Sequence, residues 1–179
     1  MDIKDFKDQL TDLTPDKRKL FAELLERKQN LQRTQDAQKN FLSFVKFMWP
    51  DFVEGTHHRI IAEKFDRIAD GTLKRLIVNM PPRHTKSEFA SFMLPAFIMG
   101  RNPLTKIIQT SHTAELSQRF GRKTKQLIDS SDYKKIFPET GLQADSKAAG
   151  RWDTSAGGEY FAAGVGGAIT GRGADLLII

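Results

Sequence analysis

The sequence predicts an α/β domain, a mostly parallel sheet flanked by helices, preceded by an N-terminal helical segment. Two observations carry that expectation. From residue 75 onward, strand-like and helix-like runs take turns, with strand candidates at 75–80, 106–110, 160–165 and 175–179 and helix candidates at 86–99 and 114–128. Alternation of this kind layers helices onto parallel strands. The second observation is a change of composition: residues 1–40 carry nine Lys/Arg and eight Asp/Glu, and at Phe41 an aromatic run, "FLSFVKFMWPDF", begins. The chain therefore divides into a helical arm, 1–40, and a body, 41–179.

Each element follows from local chemistry. In "LTPDKRKLFAELLERKQN" Thr14 stands at an N-cap and Pro15 at the first helical position, where a missing N–H costs nothing. Leu20, Phe21, Leu24 and Leu25 form an apolar stripe, expected to dock on the chain's own body rather than on a partner. In "HHRIIAEKFDRIADG" Ile60, Ile61, Phe65 and Ile68 share a helix face and Gly71 is the stop. Pro95 is expected to kink helix 86–99 or limit its regularity. The aromatics Phe41, Phe44, Phe47, Trp49 and Phe52 are expected to pack the arm onto the sheet.

Bulk properties narrow the functional classes. At 179 residues, 39% hydrophobic and 28% charged, the chain is long enough for one well-buried domain. It has no cysteine, and its histidines (57, 58, 84, 112) lack metal-ligand spacing, so neither disulfides nor an intrinsic zinc site is expected. No apolar run approaches the ~20 residues of a membrane span, and "MDIKDFKDQL" has no signal-peptide core; a cytoplasmic chain without membrane contact is expected. The net charge of +6 lies almost wholly in residues 41–179, with 19 basic against 14 acidic residues (28 − 9 and 22 − 8). The arm is therefore no basic DNA-binding tail, although the charge of the body is compatible with nucleic acid.

The stretch that points to chemistry is "RLIVNMPPRHTKSEFASF". A strand-like run, a short polar turn and Lys86-Ser87 opening a helix have the outline of a phosphate-binding loop, in which backbone N–H groups and the helix N-terminus face phosphate oxygens. The lysine of such a loop neutralises β/γ-phosphate charge and the following hydroxyl ligates Mg²⁺. Laid on G-x-x-x-x-G-K-[ST], however, the sequence puts Met80 and Thr85 where glycines belong. Pro81 and Pro82 stiffen the strand exit, and Thr85 must either avoid positive φ or be strained. Taken alone, the stretch also fits an ordinary strand–turn–helix with surface basic residues.

"NMPPRHTKSE" resembles the P-loop of the large terminase subunits, the ATP-driven motors that package double-stranded DNA into tailed-virus capsids. "GVGGAITGRGADLLII" is similar to the family's approach to its Walker B strand, "IIQTSHTAELSQRFGRKTKQLI" to its second strand and following helix, and "FLSFVKFMWPDF" with "HHRII" to its entry into the P-loop. The resemblance covers residues 41–179. It implies an ASCE-type P-loop ATPase, with ATP and Mg²⁺ as cofactors, working as a homo-oligomeric ring on double-stranded DNA with a portal and a small terminase subunit, in the host cytoplasm at the procapsid. The nucleotide-binding residues it implies are Pro82, Arg83, His84, Thr85, Lys86, Ser87 and Glu88, with Lys86 on the β/γ-phosphates, Ser87 on Mg²⁺ and Arg83 beside the γ-phosphate. It also implies an acidic pair immediately after "ADLLII", and a C-terminal nuclease domain beyond. The sheet is accordingly expected to be incomplete at its C-terminal end, and the chain as it stands to bind nucleotide without turning it over. A helicase-like DNA translocase and a non-catalytic DNA-binding or assembly fragment are the alternative readings.

Other residues have two readings each. Arg172, in "TGRGAD", is a candidate catalytic arginine acting on a neighbouring subunit, or a structural partner of Asp175; Arg101, Arg119, Arg122 and Arg151 are its rivals. Thr113 either caps its helix or marks a helix end that meets the nucleic-acid backbone. The basic face of Arg119, Arg122, Lys123 and Lys125 is either solvated or a phosphate contact. Trp49-Pro50 or His58-Arg59 are adenine-contact candidates.

Overall fold

The computed structural model describes residues 14–145, 148–167 and 169–179; the first 13 residues of the predicted arm, Ser146, Lys147 and Ala168 lie outside the described residues. Helix α1 (Pro15–Lys39) has Pro15 in its first turn, but the Thr14 side chain makes no capping bond. The stripe is largely exposed among the described residues: Leu20, Leu24 and Leu25 are 57, 54 and 37% exposed, while Phe21 is half-buried. At 1.5 Å per residue the helix is about 37 Å long, and its buried contact lies in its last turns. There Ala37 is fully buried, and Gln38 Nε2 donates to the Ile136 carbonyl at 2.6 Å.

Helix α2 (Phe41–Met48) begins where the Asn40 side chain accepts from the Ser43 N–H at 2.9 Å. The same asparagine donates to Asp66, whose other carboxylate oxygen accepts the Phe41 N–H at 2.7 Å. Asp66 belongs to α3 (Thr56–Ala69), so two helices are tied at one carboxylate. Ile61 and Phe65 of α3 point inward while Ile60 is exposed, and Gly71 ends the turn at φ +71°. The aromatic cluster packs on helices rather than on the sheet. Phe41 meets Phe65, Phe89 and Phe97 edge-on at 5.1–5.6 Å, and Phe44 meets Phe97, Tyr133 and Phe137.

The helical run after the loop is a π-turn (Glu88–Met93) followed by α4 (Leu94–Arg101). Leu94 N–H bonds back to Phe89 C=O, five residues away. The widened turn falls just ahead of Pro95, where an α-helix would need an N–H that proline lacks and would crowd the carbonyl four residues back.

The sheet has the order β2-β3-β1-β4. Strand β1 (Lys106–Ser111) pairs in parallel with β3 (Glu159–Gly164), Lys106 opposite Glu159, and with β4 (Leu176–Ile178). A short edge strand, β2 (Arg151–Asp153), runs antiparallel to β3 and makes the sheet mixed. Helix α5 (Ala114–Asp129) covers the face that carries Tyr160, and α6 (Ser131–Ile136) follows it. Trp152 stacks on Tyr160 at 4.8 Å, its indole N–H donates to the Gly121 carbonyl, and the Tyr160 hydroxyl donates to buried Gln109. Among the described residues no helix is long and apolar enough to cross a membrane.

Residues 75–80, expected as a strand, form no ladder among the described residues. Their alternation is strand-like: Leu76, Val78 and Met80 pack on the core while Ile77 is 87% exposed. What they lack is a neighbour. They and β4 line one groove of about 1060 Å³, which includes Leu76, Val78 and residues 174–179. A strand is defined by its hydrogen-bonded partner, and an amphipathic pattern alone does not supply one.

The tight seat of α5 on β3 is testable at Gly121, where an added Cβ would lie 2.7 Å from the Ala149 carbonyl and 2.8 Å from the Tyr160 ring. Gly121→Ala is expected to lower stability by about 1–3 kcal/mol through overpacking. Gly173→Ala, where a Cβ meets nothing within 4 Å, should stay within about 0.5 kcal/mol of the parent in urea unfolding.

Candidate functional site

Residues 75–80 lead through Pro81 and Pro82 into a turn whose geometry the sequence left open. Arg83 and Thr85 both adopt positive φ, +64° and +60°, and they are the only non-glycine residues to do so among those described. Thr85 therefore takes the strained alternative; a non-glycine residue in this region costs on the order of 1–3 kcal/mol, and β-branching makes it an outlier. The helix begins directly afterwards, with Lys86 and Ser87 as its first residues and Phe89 N–H closing on Thr85 C=O at 2.9 Å. Among the described residues, the N–H groups of 83–88 donate to no other backbone group. Open N–H groups in a turn leading into a helix start are what an anion requires.

The strain at Thr85 is held from outside the loop. Gly55 N–H donates to His58 Nδ1 at 2.9 Å, which leaves that nitrogen bare and puts the ring proton on Nε2. Nε2 lies 2.7 Å from Thr85 Oγ1, and the hydroxyl in turn donates to the His84 carbonyl at 2.6 Å. His84 Nδ1 donates to the Pro82 carbonyl at 2.9 Å. His58 is 5% exposed, with the rings of Phe52 and Phe89 at 4.7 and 5.0 Å. Burial lowers its pKa below the usual histidine value, and the neighbouring imidazoles of His57 and His84 lower it further against an opposing pull from Glu54. Beside it, His57 Nε2 is buried without a hydrogen-bond partner among the described residues. No spacing rule links His58 to a loop 27 residues later, so nothing in the sequence marks this contact.

Lys86, Arg83 and Ser87 are exposed, and among the described residues neither cation has a carboxylate partner. Glu88 differs: both its oxygens accept from Lys123 Nζ, at 2.8 and 3.0 Å, which pins the helix start to α5. The helix ends at Arg101, just ahead of β1 at Lys106. Its start, about 22 Å back at 1.5 Å per residue, thus lies toward the C-terminal edge of the parallel strands, the side on which open α/β sheets take ligands. The groove beside β4 runs to this point and is lined there by Lys86, Ser87 and Ile179.

Arg172 is not brought to the loop. Its Nη1 is 2.6 Å from Glu159 Oε1 and its guanidinium lies 4.1 Å over the Phe161 ring. Glu159 opens β3 opposite Lys106, so this arginine sits at the N-terminal edge of the sheet, the end away from Lys86. Nor does it pair with Asp175, which accepts the Lys106 N–H at 2.8 Å instead. Arg151 reaches the same Glu159 oxygen at 3.1 Å, and Arg101 pairs with Asp70 at 2.8 Å. Of the five arginines considered, only Arg119 and Arg122 are exposed without a carboxylate partner among the described residues.

The remaining residues fall mostly on their structural side. Thr113 accepts from the Leu116 N–H and so caps α5. The basic face is divided, because Lys123 turns toward Glu88 and the Phe92 ring. His58 is enclosed and presents no free surface to a base, whereas Arg59 pairs with Glu54 and stays exposed. Trp49 packs on Phe52 at 5.4 Å.

The tautomer of His58 sets a pH dependence. Because the folded pKa lies below the ordinary value of about 6.5, the unfolded chain binds more protons between the two, and stability must fall as pH drops through that window. In urea unfolding from pH 7.5 to 5.5, the wild type should lose stability relative to His58→Gln as the pH is lowered; parallel curves would contradict the assignment.

No model of a known protein family matches this sequence, and comparison with curated proteins and with solved structures finds no match either.

Proposed function

We propose that this chain is the nucleotide-binding part of a large-terminase-type DNA-packaging motor, an ASCE-type P-loop ATPase that drives double-stranded viral DNA into a capsid. The observation that carries this reading is the turn at residues 81–87. It combines open backbone N–H groups, a helix start and two cations without carboxylate partners at the C-terminal edge of a largely parallel sheet.

In this reading the N–H groups of the turn bind the β- and γ-phosphates of ATP, Lys86 neutralises their charge, and Arg83 lies against the γ-phosphate. Ser87 holds Mg²⁺ by its hydroxyl. Among the described residues no cluster of three or more His, Cys, Asp or Glu is placed to hold a metal; Mg²⁺ bound at Ser87 would act as a hard cation that offsets phosphate charge. ATP supplies the phosphoryl group whose transfer powers movement, and the chain's own residues bind and orient it. Glu88 acts indirectly, by fixing the helix start through Lys123. In the assembled ring, whose partners are portal, small subunit and DNA at the procapsid in the host cytoplasm, Arg119 and Arg122 replace Arg172 as the first arginines to test for action on a neighbouring subunit.

A ligand that binds only the folded state stabilises it by RT ln(1 + [L]/Kd), about 2.7 kcal/mol at a hundredfold excess over Kd. Mg·ATP should therefore raise the unfolding midpoint of the wild type, and Lys86→Ala should abolish the rise while leaving the ligand-free midpoint unchanged. A rise of equal size in Lys86→Ala would overturn the phosphate-loop reading and favour a non-catalytic DNA-binding fragment.

A further inference from the structure

We propose that His58 is the positioning residue of the phosphate loop: donating from Nε2 to the Thr85 hydroxyl, it holds Thr85 in the left-handed conformation that presents the loop's N–H groups to a nucleotide. This rests on the phosphate-loop reading above and adds to it the device that lets the loop dispense with glycine.

Four observations converge on it. Both ring nitrogens are committed, one to the Gly55 N–H at 2.9 Å and the other to Thr85 at 2.7 Å, so the imidazole is fixed in tautomer and in orientation. The recipient is one of only two non-glycine residues at positive φ among those described. The bond is passed on, Thr85 to the His84 carbonyl at 2.6 Å, while His84 closes on Pro82 at 2.9 Å; the loop's acceptors are thereby occupied internally and its N–H groups 83–88 stay open. Finally, the ring is braced by Phe52 and Phe89, and Phe89 is itself the residue whose N–H closes the first helical turn on Thr85. A histidine that only filled space would need none of this directionality. Glycine reaches the same φ freely but without a fixed minimum. Threonine clamped by His58 reaches it in a single, pre-organised form, and pre-organisation reduces what binding must spend on ordering.

The test is a double-mutant cycle at His58 and Thr85. His58→Phe keeps a ring between Phe52 and Phe89 and removes both hydrogen bonds; His58→Gln restores a donor close to the position of Nε2. Calorimetric titration with Mg·ATP should show at least tenfold weaker binding in His58→Phe and recovery of most of that loss in His58→Gln. In the Thr85→Gly background, His58→Phe should change affinity less than twofold. Nitrogen-15 NMR of the wild type should report His58 protonated on Nε2. Wild-type affinity in His58→Phe, an equal loss in both backgrounds, or a proton on Nδ1 would each overturn the proposal. If the wild type itself binds no Mg·ATP, the phosphate-loop reading fails, and the clamp is judged on ligand-free unfolding midpoints instead. Shifts from the two substitutions that do not add then uphold it, and additive shifts overturn it.

Discussion

The packing of Phe89 is the contact on which the rest depends. This side chain is 1% exposed and touches the rings of Phe41, Phe52 and His58 at 5.0–5.5 Å, which belong to α2, to the segment before α3 and to α3. Burying one phenylalanine is worth about 1.5–3 kcal/mol, and each well-set aromatic pair adds about 0.5–1.5. Because Phe89 is the first residue to hydrogen-bond back into the loop, that energy is applied where the turn becomes helix. Phe41 extends the same junction to Phe65 and Phe97, and Asp66 locks it from outside by accepting from Phe41 and Asn40. The loop is thus a rigid corner of the helical layer, even though residues 75–80 leading into it carry no ladder.

Rigidity explains how the chain does without glycine at Thr85. Elsewhere it uses glycine freely for left-handed backbone, at positions 71, 157, 166 and 171. Among the described residues it puts non-glycine residues there only in the loop, at Arg83 and Thr85, and strain so localised persists only where surrounding contacts over-determine it. At Thr85 those contacts are identifiable as His58 and the His84 carbonyl. The result is a loop whose side chains carry charge and hydrogen bonds at positions where glycine would carry neither.

The α/β alternation was legible, and β1, β3, β4 and α5 fall within about a residue of their expected ends because their apolar periodicity is imposed by burial on the covered sheet face. Strand β2 was not, since "RWD" is three residues long and its place is set by Trp152 stacking on Tyr160, a contact made across the sheet. Residues 75–80 show the converse failure. Their alternation was read correctly as one buried and one exposed face, but pairing is a property of two segments and cannot be seen in one. The leucine stripe of α1 misled for a related reason: amphipathicity says which face an apolar surface would use, not whether the body extends far enough to meet it. At the site, Lys86, Ser87 and the choice at Thr85 between strain and avoided positive φ were visible in the sequence, whereas the contact of His58 with Thr85 was hidden because a contact between distant segments leaves no spacing signature.

The sheet also separates the chain's arginines by purpose. At its N-terminal edge Arg172 and Arg151 converge on one carboxylate, Glu159, and Arg172 covers Phe161. Such a half-buried pair resists being broken, because freeing the arginine leaves Glu159 with weaker compensation in a desolvated position. Among the described residues Lys86 and Arg83 have no such partner, so their charge is available to an incoming anion at no cost in broken pairs. A glycine-flanked loop drew attention to Arg172 in the sequence, but flexibility of the backbone matters less than what the guanidinium would have to leave. By that criterion the cations freest to meet an anion are the ones that, among the described residues, no carboxylate holds.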